Sequence, residues 1–449
     1  MDRVKKKELD FGNDKIFSIL LRLAPPVMLA QLIQALYNII DSFFIGNYSE
    51  SGLTALSIIY PIQLLMIALA VGTGVGINTL MAHFLGVDNK EKRDETAGVG
   101  KFLAFAMWFV FALICWLIMP FYAQISTNSQ EIIDEVIVYG RIVCVFSFGL
   151  FFESIWTKVM QATGNMKIPM IAQIAGAFVN IALDPLLIFG IGFFPELGIA
   201  GAAIATVVGQ IIAMLLGLYF NLTKNTDVQF NFKSIELESY YFKGICTVGI
   251  PTIIMQSMSS IMCFGINKLL LNFSTTSTAV FGAYFKLQTF VYMATFGLNN
   301  VLIPIVAFNL GAKHADRIKK VIRLSGAYSA LIGLVGLIIM EMLPVQLISA
   351  FAPSEEMFSL GVTALRILGF SFVFGGVSVM TCYALQGFSR GISSLIISAL
   401  RQVIILLPLA SILGKAIGIN GIWWSFLISE TVTVTRNVRH RFQSSNSQK

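Results

Sequence analysis

Residues 17–45 read FSILLRLAPPVMLAQLIQALYNIIDSFFI, a long apolar run in which Arg22 and Asp41 are the formally charged residues. About 20 predominantly apolar residues suffice for an α-helix to cross the hydrocarbon core of a bilayer. Similar runs recur along nearly the whole chain of 449 residues. We therefore predict an all-α membrane protein with twelve spans. They cover residues 17–45, 53–84, 98–121, 132–161, 168–194, 197–221, 244–271, 279–308, 321–348, 358–387, 393–415 and 418–435, of which the last is the shortest and turns polar soonest.

The composition excludes an ordinary soluble domain. Hydrophobic residues make up 56% of the chain and charged residues 12%, against about 25% charged in a typical globular protein. The net charge is +7, but the basic residues lie between the apolar runs, so we expect no nucleic-acid partner. The five cysteines form no CxxC pair, which argues against a disulfide framework or a zinc site.

The loops fix an orientation. Lys and Arg cluster in the N-terminal tail, in alternate loops and at the C-terminus, whereas the intervening loops NYSES, STNSQ, GFFPELG and APSEE contain neither. Cytoplasmic loops carry this excess of basic residues. We therefore expect a multi-pass membrane protein with both termini in the cytoplasm.

An internal repeat organises the chain at an offset near 225 residues. Pro26 and Gln31 align with Pro251 and Gln256, and HFLGVDNK aligns with FNLGAKHA, which matches Gly86 to Gly311. Because six spans separate equivalent points, the repeat is parallel, and a pseudo-two-fold axis should run along the membrane normal. We expect a monomer of two six-helix lobes around a central cavity. The predicted units are a cytoplasmic N-terminal tail (1–16), the first lobe (17–221), a cytoplasmic linker (222–243), the second lobe (244–435) and a cytoplasmic C-terminal tail (436–449).

Ionisable residues inside spans are the best functional indicators, because an acid near the middle of a span costs about 2.5–3.5 kcal/mol on insertion. We find three such carboxylates, Asp41, Glu153 and Asp184, and all are in the first half. Asp41 ends a polar stripe in which separations of three and four residues place all members on one helical face. Its other members are Gln31, Gln34 and Asn38. The alternative is an acid at the outer helix end that reaches the membrane interface.

Asp184 lies in FVNIALDPLLIFG together with Asn180 and Pro185. Asn180 and Asp184 share a helical face, and Pro185 frees a backbone carbonyl one turn earlier. These oxygens are plausible ligands for a proton or Na⁺; the alternative is a proline kink whose Asp satisfies backbone donors. Glu153 lies between aromatic residues and is either functional or one member of a structural pair, while Lys158 reads most simply as an interfacial anchor.

The sequence gives weaker evidence for the residues that line the substrate cavity. Met-rich surfaces can adapt to varied apolar ligands, and Met255 and Met258 lie on span seven. We place them in the cavity wall with Gln31, Tyr37 and Gln256. No enzyme motif or nucleotide-binding domain is visible, so we expect no catalytic activity and no cofactor beyond bound or transported H⁺ or Na⁺.

At this point the chain resembles the multidrug and toxic compound extrusion (MATE) family of secondary transporters. The resemblance rests on APPVMLAQLIQALYNIIDSFFIGN, the LxALS stretch, QATGNMKIPM, NIALDPLLIFG and GIAGAAIATVVGQ, and it covers nearly the whole chain. It implies twelve helices in two lobes around a V-shaped cavity and export of small organic cations in exchange for H⁺ or Na⁺. The family's cation site falls on Asp41, Asn180, Asp184 and Thr206, of which the first three would also hold Na⁺.

One branch of that family carries an essential acid on span seven and another on span ten of the second lobe. This sequence departs from that branch, because its spans seven and ten contain no carboxylate. It resembles the prokaryotic branch with acids in the first lobe, so we expect ion coupling there and a location in the prokaryotic cytoplasmic (inner) membrane. Two alternative transporters are a flippase for a lipid-linked saccharide and an exporter of an endogenous metabolite. A flippase needs cationic residues in its cavity to hold pyrophosphate, which the acidic first half does not favour. A receptor or channel is the alternative from another class.

Overall fold

The computed structural model describes residues 11–225, 239–349, 351 and 354–446, and the regular structure in these ranges is helical. The helices of the first half are α1 (Ile16–Tyr48), α2 (Glu50–Gly86), α3 (Lys90–Ser126), α4 (Gln130–Val145), α5 (Phe148–Ala162), α6 (Lys167–Ile188) and α7 (Ile199–Lys224). Those of the second half are α8 (Ser239–Leu270), α9 (Thr275–Gly311), α10 (Ala315–Met342), α11 (Pro344–Ser349), α12 (Glu355–Gly369), α13 (Ser371–Gly387), α14 (Gly391–Ala399), α15 (Leu406–Ile417) and α16 (Ile419–Asn446). A π-helical turn, Leu400–Ile404, joins α14 to α15.

Within the described ranges, ten helical segments are long and apolar enough to cross a membrane. Helices α4 and α5 count together as one of them, and so do α14 and α15. Helices α12 and α13 form a further pair that meets at 48° and raises the number to eleven if the pair is one span. The protein is therefore an all-α multi-pass membrane protein, as the sequence predicts, and the count of twelve stays a prediction.

The last helix is longer than the span expected from the sequence. Instead of a short or irregular segment over 418–435, α16 runs continuously from Ile419 to Asn446. The predicted start of the C-terminal tail at residue 436 therefore falls inside a helix. Residues 1–10, 226–238 and 447–449, which belong to the predicted tails and linker, lie outside the described residues.

The apolar core has several centres, of which the first lies in one half, the second in the other half and a third where the halves meet. Tyr139 and Phe151 lie in the first centre, and Trp423 and Phe372 lie in the second. In the third, the start of α1, including Ile19, packs on α9 and α10 of the second half. Because these contacts bury large apolar side chains, the two halves form one continuous structure.

Helices α2 and α9 approach each other closely at two glycines that the repeat places at equivalent positions. A Cβ atom on Gly86 would collide with the carbonyl oxygen of Phe308, and one on Gly311 would collide with that of His83. His83 and Phe308 are themselves equivalent at the repeat offset of 225. Small residues permit such close helix contacts in membranes, and here the contact is reciprocal.

Candidate functional site

A cavity in the first half is enclosed by α1, α5, α6 and α7. It contains about 550 Å³ of empty space including the solvent at its open mouth. Its polar wall includes Gln34 and Tyr37 from α1, Glu153 from α5, Asn180 from α6 and Thr206 from α7. The structure thus places five of the residues singled out from the sequence around one space.

Two glycines bring α6 and α7 together at this cavity. A Cβ atom on Gly176 would lie 2.6 Å from the carbonyl oxygen of Gly209, and one on Gly209 would lie 2.7 Å from that of Gly176. Each distance is shorter than Cβ contacts tolerate, so the backbones can approach only because both residues lack a side chain. The close approach sets Asn180 opposite Thr206.

Asn180 is the centre of a small polar group. Its amide Nδ2 lies 3.3 Å from Oδ1 of Asp184 and 3.4 Å from Oγ1 of Thr206. Asp184 is fully buried. Oδ2 of Asp184 and Oδ1 of Asn180 are buried without a hydrogen-bond partner. Because buried polar atoms normally have partners, these two oxygens form a place where a proton or a cation would be favoured.

Asp41 lies near this group. Its side chain is 7% exposed, and Oδ1 has no hydrogen-bond partner. It is close enough to Asp184 to interact with it electrostatically, and Tyr37 lies within electrostatic range of both acids. Two carboxylates in one buried region repel each other when both are charged, so the pair favours uptake of a positive charge.

Glu153 is bonded within the cavity wall. Thr157 Oγ1 donates to Glu153 Oε1 at 2.6 Å, and Gln173 Nε2 donates to the same oxygen at 3.1 Å. One of the two carboxylate oxygens, Oε1, is therefore held in a structural pairing, which was the predicted alternative to a functional role. Tyr37 lies within electrostatic range of Glu153 as well as of Asp41 and Asp184.

Lys158 is not the interfacial anchor expected from the sequence. Its side chain is 6% exposed, and Nζ donates to Asn300 Oδ1 of α9 at 2.7 Å and to Gln161 Oε1 at 3.1 Å. The expectation fails because these amide oxygens satisfy the ammonium inside the protein. The ammonium therefore lies inside the protein, within electrostatic range of Glu153.

The remaining predicted residues lie elsewhere. Asn38 is exposed and donates to the backbone oxygen of Gln34 in its own helix. Pro185 lies inside α6, three residues before its end. Met255 is buried against Gln386 and Ser394. Four of the expected wall residues line neither this cavity nor a second one described below: Gln31, Met255, Gln256 and Met258.

The donor set fits a hard cation or a proton. Carboxylate, amide and hydroxyl oxygens suit ions such as Na⁺ rather than a transition metal. In the described part of the chain, no group of three or more His, Cys, Asp or Glu residues is placed to hold a metal ion. That Asp41, Asn180, Asp184 and Thr206 hold transported H⁺ or Na⁺ stays a prediction.

Sequence reasoning missed a buried ion pair in the second half. Arg401 Nη1 lies 3.1 Å from Glu430 Oε1, and the side chains are 11% and 14% exposed. The expectation that carboxylates inside spans are confined to the first half is therefore wrong. Glu430 lies in the last predicted span, 418–435, just before the chain turns polar. Packing of α16 against the turn that holds Arg401 buries it, and a basic residue inside the apolar run 393–415 was the available signal.

The sequence matches one family profile and is similar to known transport proteins over most of its length. The MatE family profile matches residues 26–186 and 251–412. The chain is 25% identical, over 94% of its length and 92% of the relative, to the multidrug export protein MepA of Staphylococcus haemolyticus. It is 26% identical, over 90% of its length and 89% of the relative, to an FAD transporter of Shewanella oneidensis.

The fold also matches a solved structure. An outward-facing multidrug resistance MATE family transporter of the MOP superfamily superposes with a TM-score of 0.93 at 22% identity, over 99% of each chain. This likeness establishes the fold over nearly the full length of both proteins.

Proposed function

The chain belongs to the MatE family, and on that premise we propose that it is a secondary active transporter that exports small organic cations in exchange for H⁺ or Na⁺. Multidrug export is supported by the similarity to MepA. The observation that carries the proposal is the group of buried oxygens without partners on Asp41, Asn180 and Asp184 beside a cavity of the first half.

Antiport follows from competition for these oxygens. With Asp41 and Asp184 charged, the region attracts a cationic substrate. Binding of H⁺ or Na⁺ from outside neutralises the acids and weakens the hold on the substrate. Since coupling is a difference in affinity between states, the substrate must weaken ion binding by the same factor. Glu153 and Tyr37 line the cavity and would contact the substrate.

Alternating access requires two bodies that move against each other. We propose that these are two six-helix lobes related by a pseudo-two-fold axis along the membrane normal, with a V-shaped cavity between them. The reciprocal contact of Gly86 and Gly311 supports that axis, because a two-fold operation exchanges equivalent residues. The distribution of basic loops supports a location in the prokaryotic inner membrane with both termini in the cytoplasm.

A second candidate is export of an endogenous metabolite. It is favoured by the similarity to an FAD transporter and by the buried Arg401, which could pair with an anionic group. The two candidates differ in the charge of their substrate, so competition between a cationic dye and FAD for transport distinguishes them.

The deciding experiment is efflux of a cationic dye from proteoliposomes with a pH gradient or a Na⁺ gradient imposed separately. We expect one gradient to drive efflux and Asp41→Asn to abolish the response while the protein stays folded. Efflux that responds to neither gradient, or that is normal in Asp41→Asn, would contradict the proposal.

A further inference from the structure

A second cavity lies within the second half, between α8, α9, α13, the π-helical turn, α15 and α16. It contains about 700 Å³ of empty space including the solvent at its open mouth. Aromatic side chains form much of its wall: Phe285, Tyr292, Phe296 and Phe426. Of the described residues that line it, Arg401 and Glu430 carry formal charges, so the two charges cancel.

The ion pair is incompletely bonded. A guanidinium has five N–H donors and a carboxylate accepts at two oxygens. Arg401 Nη1 and Glu430 Oε1 are 3.1 Å apart, yet Arg401 Nε, Arg401 Nη1 and Glu430 Oε2 are all buried with no hydrogen-bond partner. Burial of two charges costs several kcal/mol per ion unless further hydrogen bonds satisfy them. The ion pair in the cavity wall therefore keeps two unused donor atoms and one unused acceptor.

Arg401 lies on an irregular turn of the backbone at the cavity wall. Ile405 N donates to Leu400 O at 2.9 Å, the five-residue hydrogen bond of a π-helix. Such turns occur inside α-helices frequently at functional sites. Here Arg401 and Gln402, although adjacent in sequence, both line the cavity. Ser259 of α8 holds the Gln402 amide oxygen at 3.1 Å, so the wall is ordered before any ligand enters.

We propose that this cavity binds zwitterionic aromatic compounds, with the anionic group of the ligand on Arg401 and its cationic group on Glu430. A purely cationic ligand would be repelled by Arg401, and a purely anionic one by Glu430. A zwitterion instead adds an opposite charge to each member of the pair while the site stays neutral. The aromatic wall stacks against the rings of the ligand. Binding of this kind does not depend on ion-coupled export.

The test uses two dyes with the same ring system. A rhodamine with a free carboxylate is a zwitterion, and its methyl ester is a cation. Binding of each is measured by fluorescence polarisation on the full-length protein in detergent without any gradient. We expect Arg401→Gln to weaken binding of the free-acid dye about tenfold or more and to leave binding of the ester unchanged or stronger, since the variant removes the cation that repels the ester.

A second variant tests whether the single substitution acts only by misfolding the protein. Arg401→Gln with Glu430→Gln removes both charges at similar volume, a change that is often near neutral for stability, and it should lose the preference for the free acid. The matched control is Arg366→Gln with Glu341→Gln, an ion pair at 3.9 Å whose arginine is 56% exposed. Unchanged binding of the free acid in both Arg401 variants would overturn the proposal, and so would equal loss of both dyes.

The result of this binding test can be distinguished from the result of the efflux test of the proposed antiport. Asp41→Asn removes a charge in the first half and should leave the effect of Arg401→Gln on binding of the free acid unchanged. If efflux fails to respond to any gradient but the Arg401-dependent preference persists, the binding site stands and the antiport mechanism falls.

Discussion

Lys158 of α5 donates a hydrogen bond to Asn300 of α9 across 2.7 Å and thereby joins the two halves of the protein. The ammonium also lies within electrostatic range of Glu153. A single buried side chain therefore connects the wall of the candidate cation site to the second half. If the halves move during transport, this bond is one that the motion has to stretch or break.

Lys158→Met should destabilise the protein. The substitution leaves the amide oxygens of Asn300 and Gln161 without their donor, and a buried acceptor without a partner costs about 1–3 kcal/mol. Thermal unfolding of the purified protein in detergent measures the loss. Lys319→Met is the control, because that side chain is 76% exposed. Equal unfolding temperatures for the two variants would show that the bond contributes nothing to stability.

Asp184→Asn should abolish coupling without loss of fold. Asparagine has nearly the same shape and can keep the contact with Asn180, but it cannot take up a proton or offer a charge to Na⁺. We expect gradient-driven efflux to fall about tenfold or more, within the usual span of coupling energies. Asp316→Asn, at a fully exposed acid, should transport as the unmodified protein does. Coupled efflux in Asp184→Asn would remove this residue from the ion site.

Gly209→Ala should damage both packing and the site. The added Cβ would lie 2.7 Å from the carbonyl oxygen of Gly176, so α6 and α7 must separate, at a cost of about 1–3 kcal/mol. The separation also widens the 3.4 Å contact between Asn180 and Thr206. Unfolding temperature and coupled efflux should both fall.

The control for that variant is Gly98→Ala in α3, where a Cβ would have no atom within 4 Å. Alanine favours a helix over glycine by about 0.5–1 kcal/mol, so this variant should be as stable as the unmodified protein or more so. A similar destabilisation of both variants would contradict the steric argument.

Gly86→Ala and Gly311→Ala should destabilise the protein to a similar extent, by about 1–3 kcal/mol each. Each new Cβ meets a backbone carbonyl, of Phe308 or of His83 respectively, and backbone cannot rotate aside. Chemical unfolding of the two single variants and of the double variant measures the effect. A large loss of stability in one single variant and none in the other would show that the two glycines do not contribute equally to the contact.

The pattern of apolar runs was sufficient to predict an all-α membrane fold, because each span has to bury its own backbone hydrogen bonds in lipid. Motifs spread over the chain predicted the family, and the family profile confirms it. The local part of the candidate site was also predictable. Asn180 and Asp184 are four residues apart, so the helix alone brings them together.

Contacts between distant helices were decided only by the tertiary structure. Lys158 and Asn300 are 142 residues apart in the chain, and helical periodicity contains no information on which helix a face meets. For the same reason Lys158 was expected at the interface and Glu430 was overlooked. A charged residue near a span end can reach water or turn inward, and only the packing of α16 against the π-helical turn determines that Glu430 pairs with Arg401.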